Sequence, residues 1–466
     1  MNRGYKMSKK KNIFAGIISL ATLISMSGCG EMAKITTDGM TRVGSYNVEQ
    51  EVNYTDDSEE DVLQAEFSSD DGLCTIKKYK TYYDVTLDYE KGTPASVGAA
   101  YASTLLEARP DYAKSMEPYL YENIKTAFGG RDIIYESLEK RILTLESAIP
   151  DEYREEIESF ANTLSEEEGY SENGKLSYIE ILTLEMIPDA LRPTACSALS
   201  LDGSRTVSGE RLTLRNLEWN LGSAAQMTEI HAVTHMKKAE KSMTVISMLG
   251  LLDIITAVND DGVMIAILDV GSKNNMEYVY EGKKCYTYEI RYALEEFDNA
   301  RDAGEFLVEE SGDFTWCNNL LCTDSKDALC CENVTSEVAS AGRAHSVLRG
   351  TDTELMEGLK WDTPDALCIV NSFATKDNQD GFTELSNISR FEKYNKWVSE
   401  KDKFSVADMK GIMAHEVVNQ YEVINVHNSG TVHTVIVDYA TGDIHVAFTT
   451  GECADDIPTY LKVGSY

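Results

Sequence analysis

The hydrophobic period of this chain changes at Cys196, and that change limits the fold more than any other feature. From about residue 95 to 187, the stretches "SVGAAYASTLLEARPD", "RDIIYESLEKRILTLESAIP", "DEYREEIESFANTLSEEE" and "KLSYIEILTLEMIPD" place apolar residues at helical spacing with acidic outer faces. Four helices are predicted there. After Cys196, "MTVISMLG", "DIITAVNDDGVMIAILDV" and "TVHTVIVDYATGDIHVAFTTG" read as strands joined by Asp-Gly, Asn-Asp and Thr-Gly turns, while "YTYEIRYALEEFDNARDAGEFLVEE" reads as a helix pair. Elements in that order favour antiparallel sheets covered by helices over a doubly wound parallel sheet. The expected fold class is α+β.

Length and charge narrow the function. A chain of 466 residues holds two or three ordinary domains or one large mixed one. Its 78 acidic and 43 basic residues give a formal charge of −35, which repels a phosphate backbone and an anionic membrane surface. Nucleic acid is excluded as an expected partner.

The first residues carry an address. "MNRGYKMSKKKN" is basic, and the apolar run "IFAGIISLATLISMSG" that follows is short for a membrane span and ends at Cys29. Ser27 and Gly28 before Cys29 resemble a bacterial lipobox, with Met26 where leucine is usual. The expectation is cleavage before Cys29, a lipid on its sulfur, and a protein anchored to the outer face of the bacterial cell membrane. A plain signal peptide is the alternative, and export follows from both. Residues 30–66 are acidic, polar and poorly periodic, as a tether would be, and are left out of the core.

Export permits disulfides. With Cys29 lipidated and Cys196 catalytic, the other eight cysteines (Cys74, Cys285, Cys317, Cys322, Cys330, Cys331, Cys368 and Cys453) contain no CxxC knuckle and read as buried thiols with room for a bridge or two. The neighbours Cys330 and Cys331 point to opposite faces of a strand and read as packing. His231 and His235 have the i, i+4 spacing of a helical metal pair but lack a following glutamate and a third ligand, so a surface or core role is expected. His427, His433 and His445 fall in the β-rich end and read as structural. Asn259 reads as a turn residue tolerating positive φ.

Around Cys196 the residues suggest more. Taking "CSALSLDG" and "GERLTLRNLEW" as two strands of a hairpin, the turn signals Asp202-Gly203 and Ser208-Gly209 put position 215 opposite 196, within two residues. Arg215 and Glu218 thereby return beside the thiol. A guanidinium there favours thiolate, and a carboxylate can hold an amine or orient the arginine. On spacing alone, a small buried cysteine and a solvated cross-strand ion pair are the more usual reading.

The stretch "ACSALS…RNLEW" resembles the entrance signature of self-processing cysteine N-terminal-nucleophile hydrolases. The likeness is to the choloylglycine hydrolase and penicillin V acylase group, and especially to the isopenicillin N acyltransferase and acid ceramidase-like branch. "VNDDGVMIAILDV", "CIVNSF" and "NISRF" are similar to three further stretches of that group and occur in its order, spanning roughly residues 85–450. The resemblance implies a four-layer αββα sandwich of antiparallel sheets preceded by a helical segment. It implies Cys196 as nucleophile, Arg215 and Glu218 as its neighbours, Asn371 as an oxyanion donor and Arg390 as a site organiser. Glu218 replaces the group's aspartate, and Asp269 stands where the bile-salt and penicillin acylases carry an oxyanion-binding asparagine; an ionised carboxylate cannot donate that bond.

The implied chemistry explains why the thiol lies inside the chain. A free α-amino group on the nucleophile's own carbon acts as its base, with a pKa of about 7.7–8.0, so the Ala195–Cys196 bond must break. The expected organisation is a signal peptide with lipobox at 1–29, a tether at 30–66, a mainly helical prosegment at 67–195 and a catalytic domain at 196–466. The two products would form an alpha/beta heterodimer. The expected activity is hydrolysis of a linear amide in a small N-acyl amine or N-acyl amino acid, with no cofactor, no metal, and membrane contact only through the lipid. Alternatives are an acyltransferase using the same thioester and a lipoprotein binding module without turnover.

Overall fold

The computed structural model describes residues 53–129, 131, 133–191, 195–270, 278–378, 385–418, 426–427, 430–451 and 457–466. Cys29, the apolar run before it and Cys453 lie outside the described residues.

Three strands come first: β1 (Leu63–Ser68), β2 (Cys74–Tyr79) and β3 (Tyr83–Asp88). Their sequences alternate apolar and polar residues, most plainly LQAEFS of β1 and YDVTLD of β3, although β1 is exposed or half-buried along its length. Six helices rather than four fill the next stretch: α1 (Pro94–Ala108), α2 (Tyr112–Ala127), α3 (Tyr135–Glu146), α4 (Asp151–Leu164), α5 (Tyr178–Glu185) and α6 (Ile187–Ala190). The unanticipated α2 contains Pro118, which removes an N–H and costs about 3 kcal/mol in a helix interior. Tyr112, Met116, Tyr119, Leu120 and Ile124 nevertheless line one buried face. Burying a large apolar side chain contributes roughly 1.5–3 kcal/mol, so several of them outweigh the proline. Helix α5 opens on a capping box, with Ser177 Oγ accepting from the Glu180 N–H at 3.2 Å and Glu180 Oε2 accepting from the Ser177 N–H at 2.8 Å.

The rest of the chain is β-rich. Strands β4 (Ala195–Leu201), β5 (Leu212–Glu218), β6 (His231–Lys237), β7 (Met243–Met248), β8 (Thr256–Asn259) and β9 (Met264–Asp269) precede the expected helix pair, α7 (Tyr286–Glu296) and α8 (Ala300–Glu310). Then come β10 (Asn318–Thr323), β11 (Ala328–Asn333), α9 (Ser336–Ser340), β12 (Val347–Arg349), β13 (Ala366–Ile369), α10 (Leu385–Glu400), α11 (Val406–Val418), β14 (Thr431–Asp438), β15 (Asp443–Phe448) and β16 (Tyr460–Ser465).

These strands make a ten-stranded sheet, ordered β1-β2-β3-β6-β7-β8-β9-β10-β11-β12, and a six-stranded sheet, ordered β13-β4-β5-β14-β15-β16. Every pairing is antiparallel except β3 with β6, the join between the N-terminal part and the rest. The α+β class with antiparallel sheets is therefore present. Strands β5, β7, β9, β10, β11 and β14 are buried along their whole length, which requires cover on both faces. Helices α7 and α8 pack on the ten-stranded sheet, α10 and α11 on the six-stranded one, and β4 meets β9 where the sheets face each other.

Strand alternation then sorts the six-stranded sheet's side chains. Cys196, Ala198, Leu217 and Val435 join the large apolar cluster shared with the ten-stranded sheet, whereas Leu199, Leu201, Leu212, Leu214 and Ile436 pack beneath Phe391, Tyr394 and Met409. Asn259 serves its hairpin differently from expectation. Its side-chain oxygen accepts from the N–H groups of Asp261 and Val263, while the positive φ, 80°, falls on Gly262. Among the described residues, no helix is long and apolar enough to cross a membrane.

Candidate active site

Strands β4 and β5 form the hairpin read from the sequence, with Cys196 opposite Leu217 and Arg215 opposite Ala198. That is two residues from the pairing set by the turn signals. A shift of two leaves every side chain on its face, so Arg215 shares the face of Cys196. Arg215 Nη2 lies 3.4 Å from Cys196 Sγ and donates to the Ile267 carbonyl of β9 at 3.1 Å.

Glu218 lies three residues beyond Arg215, and the pleat sends it to the other face. Of the two side chains, Arg215 is thus the one that meets the thiol; the Glu218 carboxylate works from behind the strand. Its carboxylate oxygens sit 3.5 and 3.4 Å from Arg390 Nη1, and the Asn216 amide donates to it at 3.2 Å. The same Arg390 Nη1 donates to the Cys196 carbonyl at 2.7 Å. Glu218 therefore reaches Cys196 through a guanidinium that grips its main chain.

Asn371 follows β13, the neighbour of β4. Its Oδ1 accepts from the Cys196 N–H at 2.7 Å and from Arg390 Nη2 at 2.9 Å. Its Nδ2 donates to the main-chain carbonyl of Asp269 at 2.5 Å. The nitrogen assigned by resemblance to an oxyanion is engaged here by a carbonyl, and Asp269 meets the site through its backbone.

Cys196, Arg215, Glu218, Asn371 and Arg390 thus converge, and Ala195 begins β4 opposite Glu218. Cys196 and Arg215 are fully buried and the other three nearly so. Burial pushes the Cys196 thiol up from its ordinary range; Arg215 and the Glu218 backbone N–H pull it back, the Glu218 carboxylate pushes it up again and Arg390 lowers it least, so the burial is not offset. Burial likewise pulls the Arg215 guanidinium down. Both charged side chains that touch Cys196 atoms are cations. A thiolate formed there would find positive charge on the Arg215 side, while behind the strand the Glu218 carboxylate offsets Arg390.

The sequence reading passed over three contributors. Asn387 and Tyr394 lie three residues before and four after Arg390, on the same face of α10; Tyr394 OH is 3.0 Å from Ser197 Oγ. Helical spacing around Arg390 was the available signal. Asn319 on β10 donates to the carbonyls of Val370 and Ser372, 3.0 Å each, on either side of Asn371. Only the facing of the two sheets brings it there.

The other candidates lie elsewhere. His231 and His235 sit on strand β6, not on a helix; His231 bonds the Thr449 carbonyl, and His235 meets Thr244 and Asp84. His433 is fully buried on β14, with a pKa well below the usual histidine value through burial and the nearby Arg215. The eight described cysteines are buried and none is in a disulfide, with Cys322 and Cys331 sulfurs 3.6 Å apart. Among the described residues, no group of three His, Cys, Asp or Glu side chains could hold a metal. A cavity of about 630 Å³ between β13 and the loop before it is lined by Leu355, Trp361, Cys368 and Phe391 but does not reach Cys196.

No family model matches the chain. Likewise, no curated protein matches it. Among solved structures it is similar to a Caenorhabditis elegans ortholog of N-acylethanolamine-hydrolyzing acid amidase, with a TM-score of 0.36 and 11% identity over 53% of this chain and 93% of that one. It is also similar to a variant of conjugated bile acid hydrolase from Clostridium perfringens, with a TM-score of 0.36 and 11% identity over 57% of this chain and 92% of that one. A second variant of the same hydrolase gives a TM-score of 0.35 and 10% identity, with the same coverage.

Proposed function

We propose that this chain is a self-processing cysteine hydrolase of linear amides. The observation that carries the reading is the grip on Cys196: Asn371 Oδ1 accepts from its N–H at 2.7 Å while Arg215 Nη2 lies 3.4 Å from its sulfur. A hydrogen-bond acceptor on the nitrogen suits an amine as well as an amide, so the contact survives cleavage and turns the amine toward the work of a base.

The chemistry runs in two rounds. In the first, Cys196 Sγ attacks the Ala195 carbonyl carbon, the C–N bond breaks, and the nitrogen takes the thiol proton, leaving a thioester. Water cleaves the thioester, giving a carboxyl group on Ala195 and a free thiol and amine on Cys196. In the second, the amine takes the thiol proton as sulfur attacks a substrate amide and returns a proton to the leaving amine; water then attacks the acyl thioester, its proton goes to the sulfur through the amine, and the carboxylic acid leaves. Asn371 Nδ2 would exchange the Asp269 carbonyl for the substrate oxyanion, a kind of donor whose loss costs on the order of 10² to 10³ in rate.

The substrate we infer is a small N-acyl amine or N-acyl amino acid, which rests on the sequence resemblance. Export and lipidation at Cys29 belong to the same reading. Intact-mass analysis of the purified protein should show two polypeptides, one beginning at Cys196, held together as a heterodimer, whereas Cys196→Ala should remain one chain. A folded wild type that stays uncut and hydrolyses no N-acyl amide would leave the binding-module reading in its place. Capture of the thioester by added amines in preference to water would make it an acyltransferase.

A further inference from the structure

We propose that Asn387 and Asn319 are positioning residues that hold Asn371 in register with Cys196; the proposal rests on the amidohydrolase reading above. Asn387 acts on Asn371 as a neighbouring strand would. Its Oδ1 accepts from the Asn371 N–H at 3.1 Å and its Nδ2 donates to the Asn371 carbonyl at 3.0 Å. Its Oδ1 also accepts from Arg390 Nη2 at 2.9 Å, so one amide fixes both groups that touch the Cys196 main chain.

Asn319 closes the clamp from the other sheet. Its Nδ2 donates to the carbonyls of Val370 and Ser372, the residues flanking Asn371. Asn387 is 1% exposed and Asn319 not at all, so neither bond is diluted by solvent. Two buried amides drawn from different layers converge on a three-residue stretch. The one side chain in it that meets the nucleophile belongs to Asn371. Fixing an irregular turn needs hydrogen bonds, because β13 ends at Ile369 and the ladder with β4 stops there. A misplacement of about 1 Å at a reacting centre costs about 10²-fold in rate, and that is the error these bonds prevent.

The chemistry of the amide makes the idea testable by isosteric change. Asn387→Asp keeps the acceptor but loses the donor, sets a carboxylate against the Asn371 carbonyl, and draws Arg390 away from the Cys196 carbonyl. Asn319→Asp removes both of its donated bonds. The full-length chain and the variants Asn387→Asp, Asn387→Ser and Asn319→Asp would be assayed on an N-acyl amide that wild type hydrolyses. Thermal melting reports folding, and the pH dependence of iodoacetamide labelling reports the Cys196 thiol.

The expected result is a fall in kcat of about 10- to 100-fold with KM within about threefold, and a labelling midpoint moved upward in Asn387→Asp. A lowered melting temperature with wild-type kcat and labelling is what a purely structural role gives, and it overturns the proposal. Asn387→Ser, which removes the amide without adding charge, decides the matter if the aspartate variants do not fold. Cys196→Ala separates this idea from its parent. Turnover surviving in that variant sinks the amidohydrolase reading, while turnover lost there but intact in the Asn387 and Asn319 variants overturns the clamp alone.

Discussion

Asn371 Oδ1 accepts the main-chain N–H of Cys196 at 2.7 Å across a separation of 175 residues. The bond joins the first strand after the helical half to the second residue past the end of β13. It also places an acceptor on the one nitrogen that self-cleavage would convert to an amine. Replacing Asn371 by alanine should lower kcat by about 10² to 10³, and aspartate, which keeps the acceptor but loses the donor and sets a charge against the oxyanion, should lose at least as much. Steady-state kinetics on the two variants would check this; an aspartate variant with wild-type kcat would mean that the Asn371 amide donates to no oxyanion.

Arg215 presses on the thiol from the face shared with β9. It pulls the thiol pKa down against the burial that raises it. Removing the guanidinium should therefore raise the midpoint of Cys196 alkylation further. Iodoacetamide labelling of Arg215→Gln against pH reads this directly. An unmoved midpoint would show that Arg215 serves packing between the sheets.

Arg390 and Glu218 form a buried pair behind the strand. Breaking such a pair from one side costs about 3–5 kcal/mol, because the remaining charge is stranded. Arg390→Met should destabilise by that order, and the double variant Arg390→Met/Glu218→Gln should recover part of it. Denaturant melts of both provide the measurement, and additive losses would argue that the two charges do not interact.

Asp189 offers a pH dependence with a definite sign. Its carboxylate accepts from the Tyr286 N–H at 2.7 Å and from Thr287 Oγ1 at 2.6 Å, capping α7 from another helix. Burial raises its pKa from 3.8 to about 7, and the buried Glu185 and Asp253 nearby are raised as well. Because the folded pKa exceeds the unfolded one, the contribution to stability is complete below about pH 4. It is lost as pH rises through about 7, by an amount on the order of a few kcal/mol. Asp189→Asn should flatten that decline in melting temperature measured from pH 4 to 8. A decline just as steep in the variant would place the titration elsewhere.

Cys196 with the alternating strands around it was legible in the sequence because a pleated hairpin has few registers. The turn signals came within two residues, and parity kept Arg215 on the correct face. The helix pair at 286–310 and the antiparallel sheets were legible for the same reason, a strong local period. Helix α2 was not, since Pro118 reads as a stop and only burial of its tyrosines and leucine overrides it. Strands β1 to β3 do alternate, as in LQAEFS and YDVTLD, and were missed because β1 begins inside the acidic stretch read as a tether and has no fully buried face.

What the sequence determined by itself is thus the set of local elements and the chemical types at each position: a thiol, two guanidiniums, a carboxylate and an amide. Tertiary structure alone decided which atoms meet. Glu218 faces Arg390 rather than the thiol because its odd spacing from Arg215 turns it through the sheet. Asn319 and Asn387 reach Asn371 from opposite layers because two sheets and a helix are stacked by burial of apolar faces. That stacking is a property of the whole chain, set by which surfaces exclude water together, and no local stretch encodes it.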